Sequence, residues 1–344
     1  MSDNKVDKVD IFAVAKRANV SISTVSRSFN HPELVNPTTR KKIDKAVRKL
    51  GYIRNRAAQT MHGIRSGTIG LIVPTIDHAI FAEVIQAFSD SVDAHGFTIM
   101  IASHGYDLER EYAALRKFLE HRVDGLALIG EDHSQETYEL IERQNIPAVT
   151  MWNYSETSRL SCIGADNKMA GVLAAQHLVG LGHRDIGLLF PPTKDNDRAR
   201  DRRSGVQKTL LNAGINLIPD WDVESTYSIA DAKSAAQRLL RSPQRPSGIL
   251  CGNDVLAMGV LYAARSCNLD IPQDLSVVGI GDFKGSSEVE PGLTTVHLPA
   301  WEIGRLAGNH LSQSITGDLT NEQRVGCDIV LIERGTCKPH FGIS

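Results

Sequence analysis

The stretch IFAVAKRANVSISTVSRSFN, residues 11–30, decides the fold of the N-terminal part of this chain. Its apolar residues recur at helical spacing on both sides of Ala18-Asn19-Val20, where Asn19 can adopt the left-handed backbone conformation. Asp10 and Ser21 stand where N-caps belong, which predicts helices over residues 11–18 and 22–29. Two helices joined by so tight a turn indicate a helix-turn-helix unit.

A third amphipathic segment completes this all-α unit. Asn36-Pro37 supplies a cap and a first-turn proline and Gly51 ends the segment, which predicts a helix over residues 38–50. Residues 1–66 carry 14 Lys and Arg against 5 Asp and Glu, whereas residues 67–344 carry 24 against 35. A basic head on an acidic body favours a polyanionic partner for the head, although charge alone fits an ordinary solvated surface equally well.

The second helix of a helix-turn-helix unit presents its N-terminal side chains to the major groove of DNA. At helical spacing, Val25 and Phe29 face the core, and Ile22, Ser23 and Arg27 point outward. We predict that Arg27 binds a guanine through two hydrogen bonds, that Ser23 forms an adaptable hydrogen bond and that Ile22 packs on a thymine methyl group. The predicted phosphate anchors are Ser21, Thr24, Ser26 and the basic residues of the third helix.

From residue 68 onward, short apolar runs alternate with helix-length amphipathic segments. The runs are nearly continuous in apolar and β-branched residues, as fully buried parallel strands are. They occupy residues 68–74, 97–103, 123–130, 147–152, 185–191, 248–252 and 275–281. With the shorter runs there are roughly ten strands, more than one twisted sheet holds comfortably. The predicted architecture is therefore an all-α helix-turn-helix domain followed by an α/β core of two doubly wound parallel-sheet lobes, with a ligand cleft between facing sheet edges.

Composition and motifs narrow the class of protein. No apolar run approaches the roughly 20 residues that span a bilayer, and the charged N-terminus lacks a signal-peptide core, so we expect a cytoplasmic protein. The five cysteines include no CxxC pair and no cluster with histidines, which favours free thiols and no metal. There is no P-loop, G-x-S-x-G elbow, HExxH or dinucleotide fingerprint, so we predict no catalytic residues, no cofactor and no enzyme activity.

The segment IFAVAKRANVSISTVSRSFNHPELVNPTTRKKIDKAVRKLGYIRNRAAQTM, residues 11–61, closely resembles the N-terminal signature of the lactose-repressor (LacI/GalR) family. Further segments look like family landmarks: LGHRDIGLL (181–189), NDVLAMG (253–259), LSVVG (275–279) and PGLTTVHLP (291–299). The resemblance implies a homodimer, a palindromic operator in double-stranded DNA and a periplasmic-binding-protein-like core that senses a sugar-like effector.

The resemblance also implies boundaries and further DNA contacts. It divides the chain into a helix-turn-helix domain (1–53), a hinge helix and linker (54–66) and an effector-binding and dimerisation domain (67–344). Lobe 1 then covers about 67–164 and 297–324, and lobe 2 about 165–296 and 325–344. The DNA-contacting set gains Asn30, Asn55, Arg56, Ala58 and Met61. Met61 stands where the family has a leucine wedge in the minor groove, and Arg54 replaces a proline beside the phosphate backbone.

Five residues are candidates for effector binding. Phe81 matches a family position that stacks on the ligand, although a place in the core of its helix is an equally good interpretation. Trp152 ends a strand with an aromatic face suited to a sugar, and Arg202 matches a family arginine that grips ligand hydroxyls or a carboxylate. Of Asn253 and Asp254, which open a helix, one is expected to cap and the other to bind, with Asn253 favoured as the binder.

The fifth candidate, Asp282, comes directly after Gly281, which replaces an aspartate usual in the family. Loss of that carboxylate reduces repulsion toward an acidic effector. The segments FAEV (81–84), DAHGF (93–97), HGYDLE (104–109) and GIGDF (279–283) resemble gluconate-type regulators of the family, which implies a sugar acid such as gluconate. The predicted function is repression of a carbohydrate or sugar-acid catabolic operon. An activator or dual regulator, and less favourably a solute-binding protein, are the alternatives.

Overall fold

The structure is a computed structural model that describes residues 9–54, 65–77, 79–319 and 321–340 of the 344-residue chain. Contacts divide the chain into two units, Met1–Ser66 and Gly67–Ser344. Each unit has its own apolar core.

The first unit is built from three helices. They are α1 (Ile11–Ala18), α2 (Ile22–Asn30) and α3 (Pro37–Leu50), with a short 3₁₀ turn at Pro32–Leu34. Asp10 caps α1 by accepting a hydrogen bond from the Ala13 N–H at 2.9 Å, and Asn19 ends it with φ 54°. The side chains of Val14, Val25 and Ile43 are completely buried between the helices. The helix-turn-helix arrangement expected from the sequence is therefore present.

The second unit contains two six-stranded sheets. The first has the order β11-β5-β4-β3-β1-β2 and the second β12-β10-β9-β8-β6-β7, in this chain-order numbering. The strands are β1 (Thr68–Val73), β2 (Thr98–Ser103), β3 (Gly125–Ile129), β4 (Ala148–Asn153), β5 (Ser161–Ala165), β6 (Ile186–Phe190), β7 (Asp222–Glu224), β8 (Gly248–Cys251), β9 (Ser276–Gly281), β10 (Thr294–His297), β11 (Arg324–Cys327) and β12 (Val330–Ile332). All neighbours run parallel except β10 and β12.

Helices connect the strands and cover the sheets. They are α4 (Ala79–Ala94), α5 (Leu108–Glu120), α6 (Gln135–Gln144), α7 (Asn167–Gly180), α8 (Asp197–Asn212), α9 (Ile229–Leu240), α10 (Asp254–Ser266) and α11 (Ala300–Thr316). Central strands such as β3 and β9 are buried along their whole length, which is why their sequences are continuous apolar runs. The predicted fold class, an all-α head and two doubly wound lobes, is confirmed. Among the described residues, no helix combines the length and the apolar character needed to cross a membrane.

The chain passes between the two sheets three times. It crosses between β5 and α7, between β10 and α11, and between β11 and β12. Strand β11 pairs in parallel with β5, so Val325 faces Ile163 and Cys327 faces Ala165. The expected lobe boundary at 324/325 therefore needs correction, because residues 325–327 complete the sheet of the first lobe. The change of lobe comes at residues 328–329, just before β12.

Candidate nucleic-acid interface and ligand cleft

The N-terminal turn of α2 exposes the side chains expected to meet DNA. Ser21 caps the helix, since its Oγ accepts from the Thr24 N–H at 3.2 Å and lies 2.8 Å from the hydroxyls of Ser23 and Thr24. Ile22 is 38% exposed, and Ser23 and Arg27 are also exposed. Val25 is fully buried on the opposite side. The surface thus has a cation, hydroxyls and one apolar side chain, the combination that reads base edges.

The second half of α2 is tied to the segment that follows α3. Asn30 donates to the Ser26 hydroxyl at 3.4 Å and accepts a hydrogen bond from the Arg54 guanidinium. The same guanidinium lies 5.6 Å from the centre of the Phe29 ring. Arg54, expected beside the phosphate backbone, therefore braces α2. The predicted contacts Asn55, Arg56, Ala58 and Met61 lie outside the described residues.

Two aromatic candidates of the first lobe pack against each other. Phe81 on α4 and Trp152 at the end of β4 are both 1% exposed, and their rings meet edge to face with centroids 5.7 Å apart. Trp152 has φ 82°, a backbone conformation that a bulky side chain rarely adopts and that clusters at functional sites. The indole Nε1–H of Trp152 is buried and donates to no group in the described structure.

Arg202 of α8 is a buried cation that pairs with no carboxylate in the part of the chain that the structure describes. Its side chain is 2% exposed, its Nε donates to Asn167 Oδ1 at 2.7 Å and its Nη1 to the Gly252 carbonyl at 3.0 Å. Its Nη2 donates to no group in the described structure. Burial lowers the pKa of the Arg202 guanidinium to about 10. Such a group is costly to bury unless an anion or hydrogen-bond acceptors meet it.

Asn253 and Asp254 have different partners. Asn253 caps α10 with its Oδ1, which accepts from the Leu256 N–H at 2.9 Å, and this bond fixes the amide so that Nδ2 is the atom without a partner. The carboxylate of Asp254 instead accepts from Thr295 at 2.6 Å, Ser286 at 2.7 Å and the Phe283 N–H at 3.1 Å. The carboxylate of Asp254 therefore makes its hydrogen bonds inside the second lobe, whereas Asn253 Nδ2 donates to no group among the residues that the structure describes.

A chain of contacts joins three of these candidates. Asn167, which accepts from Arg202, donates to the Trp152 carbonyl at 3.5 Å, and Arg202 in turn binds the carbonyl of Gly252, the residue before Asn253. Asp282 belongs to a different group. It pairs with Arg334 at 2.7 Å and His297 at 3.1 Å, and it borders a separate cavity of about 320 Å³.

Further charged groups, which the sequence does not single out, lie where the two lobes meet. Asp197 and Arg198, at the start of α8, form an ion pair of 2.8 Å with 2% and 5% exposure. Asp197 accepts from the Glu131 N–H at 2.6 Å and from Asn153 at 3.0 Å, and Arg198 donates to the Ile129 carbonyl at 3.4 Å. These bonds join the second lobe to the first. Burial is the largest single effect and lowers the pKa of Arg198, but Asp197, Tyr106, Tyr227 and Asp132 together raise that pKa above its ordinary value.

The mouth of the cleft is marked by two stacked tyrosines. The rings of Tyr106 and Tyr227 lie 5.9 Å apart and are nearly parallel, at 11°. They line a cavity of about 550 Å³ together with Asp77, Pro192, Lys194, Asn196, Thr226 and Ser228.

The charged run 196–203 is evident in the sequence, but nothing in its spacing shows which of its side chains contact the other lobe. Among the described residues, no group of three or more His, Cys, Asp or Glu is placed to hold a metal.

Comparison with known proteins agrees with both parts of the chain. Residues 11–55 match the family described as bacterial regulatory proteins, lacI family, and residues 175–337 match the periplasmic binding protein-like domain. The HTH-type transcriptional repressor PurR of Erwinia tasmaniensis is 33% identical over 323 residues, 93% of this chain and 94% of that protein.

Two solved structures extend the comparison. The lac repressor dimer bound to operator and the anti-inducer ONPF is 28% identical with a TM-score of 0.82, over 96% of this chain and all of that one. The transcription regulator GntR from Chromobacterium violaceum is 26% identical with a TM-score of 0.73, over 78% and 98% of the two chains.

Proposed function

Because the chain belongs to the lacI family of bacterial regulatory proteins, DNA-binding transcriptional regulators with an effector-binding core, we propose that it represses a carbohydrate or sugar-acid catabolic operon. It acts in this proposal as a cytoplasmic homodimer on a palindromic operator. The relatives are transcriptional regulators over nearly the whole chain, which agrees with the prediction that it is no enzyme and excludes the solute-binding alternative.

Three buried hydrogen-bond donors that have no acceptor among the described residues support the choice of a sugar acid as the effector. Trp152 Nε1, Arg202 Nη2 and Asn253 Nδ2 are all donors, and each is buried without an acceptor in the described structure. A ligand that satisfies them must present acceptor oxygens, because a buried donor without a partner costs about 1–3 kcal/mol. One of the three also carries a formal positive charge. A carboxylate with neighbouring hydroxyls meets both requirements, so we propose a sugar acid such as gluconate.

Phe81, Arg202, Asn253 and Trp152 are the proposed binding residues in this cleft. The aromatic pair lies in the first lobe and the two polar residues in the second. A ligand between them contacts both lobes, so it favours one lobe arrangement over another by its differential affinity. We retain Asp282 as a candidate through its position beside Gly281, although its carboxylate is already paired with Arg334 and His297.

Calorimetric titration of the full-length protein tests the effector class. Gluconate and 2-ketogluconate are compared with glucose, which lacks the carboxylate. We expect saturable binding of at least one sugar acid and at least tenfold weaker binding of glucose, or about 1.4 kcal/mol. Binding of glucose or of a purine base, with no heat from either acid, would contradict the proposal.

The DNA side is tested separately. The purified protein selects its operator from random-sequence duplex DNA, and the bound sugar acid is then added while fluorescence anisotropy follows the complex. We expect an inverted-repeat site whose affinity changes with the effector. Reporters for the selected promoters, measured with and without the gene and with and without effector, separate a repressor, which only lowers expression, from an activator, which raises it, and from a dual regulator, which does both.

A further inference from the structure

A buried ion pair lies directly behind the contacts that join the two lobes. His133, in the loop between β3 and α6, has no exposed side-chain surface, and Glu111 of α5 has 1%. His133 Nδ1 lies 2.9 and 3.0 Å from the two carboxylate oxygens of Glu111, and its Nε2 lies 3.0 Å from the Gly130 carbonyl. A carbonyl only accepts, so Nε2 carries a proton, and a second proton on Nδ1 completes the bond to the carboxylate.

The loop held by this pair makes the contacts between the lobes. Gly130 lies between Ile129, whose carbonyl accepts from Arg198, and Glu131, whose N–H donates to Asp197. The next residue, Asp132, pairs with Arg200 at 2.6 Å on the more exposed rim. The protonated imidazole therefore fixes the backbone at the point where α8 of the second lobe meets it.

Other titratable groups surround His133 on each packed element. Directly after β2 lies His104, whose Nε2 lies 3.8 Å from Glu111 and whose pKa is lowered by burial, which favours its neutral form. From α6 comes Tyr138, whose ring meets the imidazole edge to face at 5.5 Å and whose hydroxyl donates to the Glu131 carbonyl. From α8 come Asp197 and Arg198, which neutralise each other as an ion pair.

Neighbouring hydrogen-bond acceptors and negative charges favour the protonated form of His133. Burial is the largest single effect and lowers the pKa of His133, but the hydrogen bond and charge of Glu111, the bond to the Gly130 carbonyl and the charge of Asp197 together raise it above its ordinary 6.5. A raised pKa stabilises the folded contacts fully below the ordinary value and loses that stabilisation as pH rises through the raised value.

We propose that the Glu111–His133 pair is a proton-dependent latch that holds the two lobes together and releases them when His133 is deprotonated. Deprotonation removes one of the two ring donors, so either the Gly130 carbonyl or the Glu111 carboxylate loses its partner. The latch goes beyond the regulator function and the effector class, because neither DNA nor sugar acid takes part in it.

Hydrogen exchange on the full-length protein tests the latch. Exchange of the 129–133 segment is measured between about pH 6 and pH 9 and divided by the rates of an unfolded peptide of the same sequence, which removes the chemical effect of pH. We expect protection of the Glu131 amide to fall by about tenfold across this range. Unchanged protection in the wild type would overturn the latch.

Three variants locate the proton. His133→Gln is expected to show low, pH-independent protection, and Glu111→Gln to shift the fall to lower pH because the counter-charge is gone. His104→Gln is the matched control and retains the wild-type profile. A pH-dependent profile that survives in His133→Gln, or disappears in His104→Gln, also overturns the latch. Circular dichroism confirms folding, and the wild-type and Glu111→Gln profiles suffice if His133→Gln does not fold.

Discussion

The unpaired guanidinium of Arg202 shows at the scale of one residue how stability and binding oppose each other. A charge without a counter-ion in a 2% exposed position destabilises the fold, yet the acceptors that Arg202 finds among the described residues are two neutral ones, Asn167 and Gly252. The third nitrogen, Nη2, donates to no group among the described residues, and we propose that it binds the effector. Sites of this kind are less stable than an apolar replacement would make them, because their polar groups are arranged for a molecule that comes and goes.

Arg202→Met therefore separates binding from folding. We expect the affinity for the sugar acid to fall by at least a hundredfold, or about 2.7 kcal/mol, since a buried charged donor is removed. The unfolding free energy should change by less than about 1.5 kcal/mol, because the removed desolvation cost offsets the two lost hydrogen bonds. Calorimetric titration and denaturant unfolding measure the two quantities.

The adjacent Arg203 supplies the control. It lies on the same helix but pairs with Asp222 at 2.7 Å and Glu224 at 2.9 Å. Arg203→Met should leave the sugar-acid affinity within about twofold of the wild type. Equal losses in the two variants would mean that total charge, and not the position of Arg202, attracts the effector.

Arg27 is the residue on which base recognition is predicted to depend. Arg27→Ala should weaken operator binding by about 1–3 kcal/mol and relax the base preference at one position of each half-site. Lys45→Ala on α3 removes another exposed cation, one that is expected to contact phosphate. It should weaken all sequences alike and reduce the dependence of affinity on salt. Repeating the site selection with each variant distinguishes these outcomes, and an unchanged consensus for Arg27→Ala would refute the assignment.

At the residue scale, the sequence predicts some positions better than others. Ser21 as a cap and Val25 as core follow from helical spacing alone, and both are found there. The contacts of Arg54 with Phe29 and Asn30 cannot be predicted from helical spacing, because Asn30 lies 24 residues away along the chain. The ion pair of Asp282 cannot be predicted from the sequence for the same reason, since its partner Arg334 is 52 residues away.

At the scale of elements, two glycines allow the helices α7 and α8 to cross closely. A Cβ on Gly171 would lie 2.0 Å from the Arg202 carbonyl oxygen, and one on Gly205 would lie 2.1 Å from the Lys168 carbonyl oxygen. Both clashes are with backbone, which cannot rotate away. The spacing of Arg202 and Gly205 on α8 thus has a physical basis: the glycine brings the helix close enough to α7 for the arginine to reach Asn167.

Gly205→Ala should separate these two helices. We expect a loss of about 1–3 kcal/mol in unfolding free energy, with weaker sugar-acid binding because Arg202 moves with the helix. Gly180→Ala at the end of α7 is the matched control, since nothing lies within 4 Å of the added Cβ. That change should be neutral or stabilise by up to about 1 kcal/mol. Thermal and denaturant unfolding give the comparison, and equal effects at the two glycines would argue against close crossing.

The elements themselves are largely predictable from the sequence. The expected strand at 68–74 is found as β1 (Thr68–Val73) and that at 275–281 as β9 (Ser276–Gly281), because five or six buried and mostly apolar residues in a row give a clear pattern. The three-residue strands β7 and β12 give no such pattern. The pairing of β11 with β5 depends on contacts 162 residues apart, which local periodicity does not contain.

At the scale of the whole effector-binding unit, the ion pair of Asp197 and Arg198 lies among the contacts that join the two lobes. Asp197→Asn keeps the shape of the side chain but removes its charge. When the lobes are joined and exclude water, Arg198 is then a buried cation without a counter-charge. The variant should weaken the joined arrangement by roughly 3–5 kcal/mol and matter much less where the lobes separate and water reaches the guanidinium. Asp132→Asn, at the more exposed pair with Arg200, should cost less than about 1 kcal/mol.

This difference gives a prediction whose sign does not depend on whether the effector releases or promotes DNA binding. A ligand that contacts both lobes favours their joined arrangement, and Asp197→Asn disfavours it. The variant without effector should therefore shift operator affinity in the direction opposite to the shift that the effector causes in the wild type. By linkage, operator DNA should change sugar-acid affinity by the same factor that the acid changes operator affinity. For the wild type and the variant, anisotropy measures operator affinity with and without the acid, and calorimetry measures acid affinity with and without the operator. If Asp197→Asn shifts operator affinity in the same direction as the effector does, joining of the lobes does not determine operator affinity.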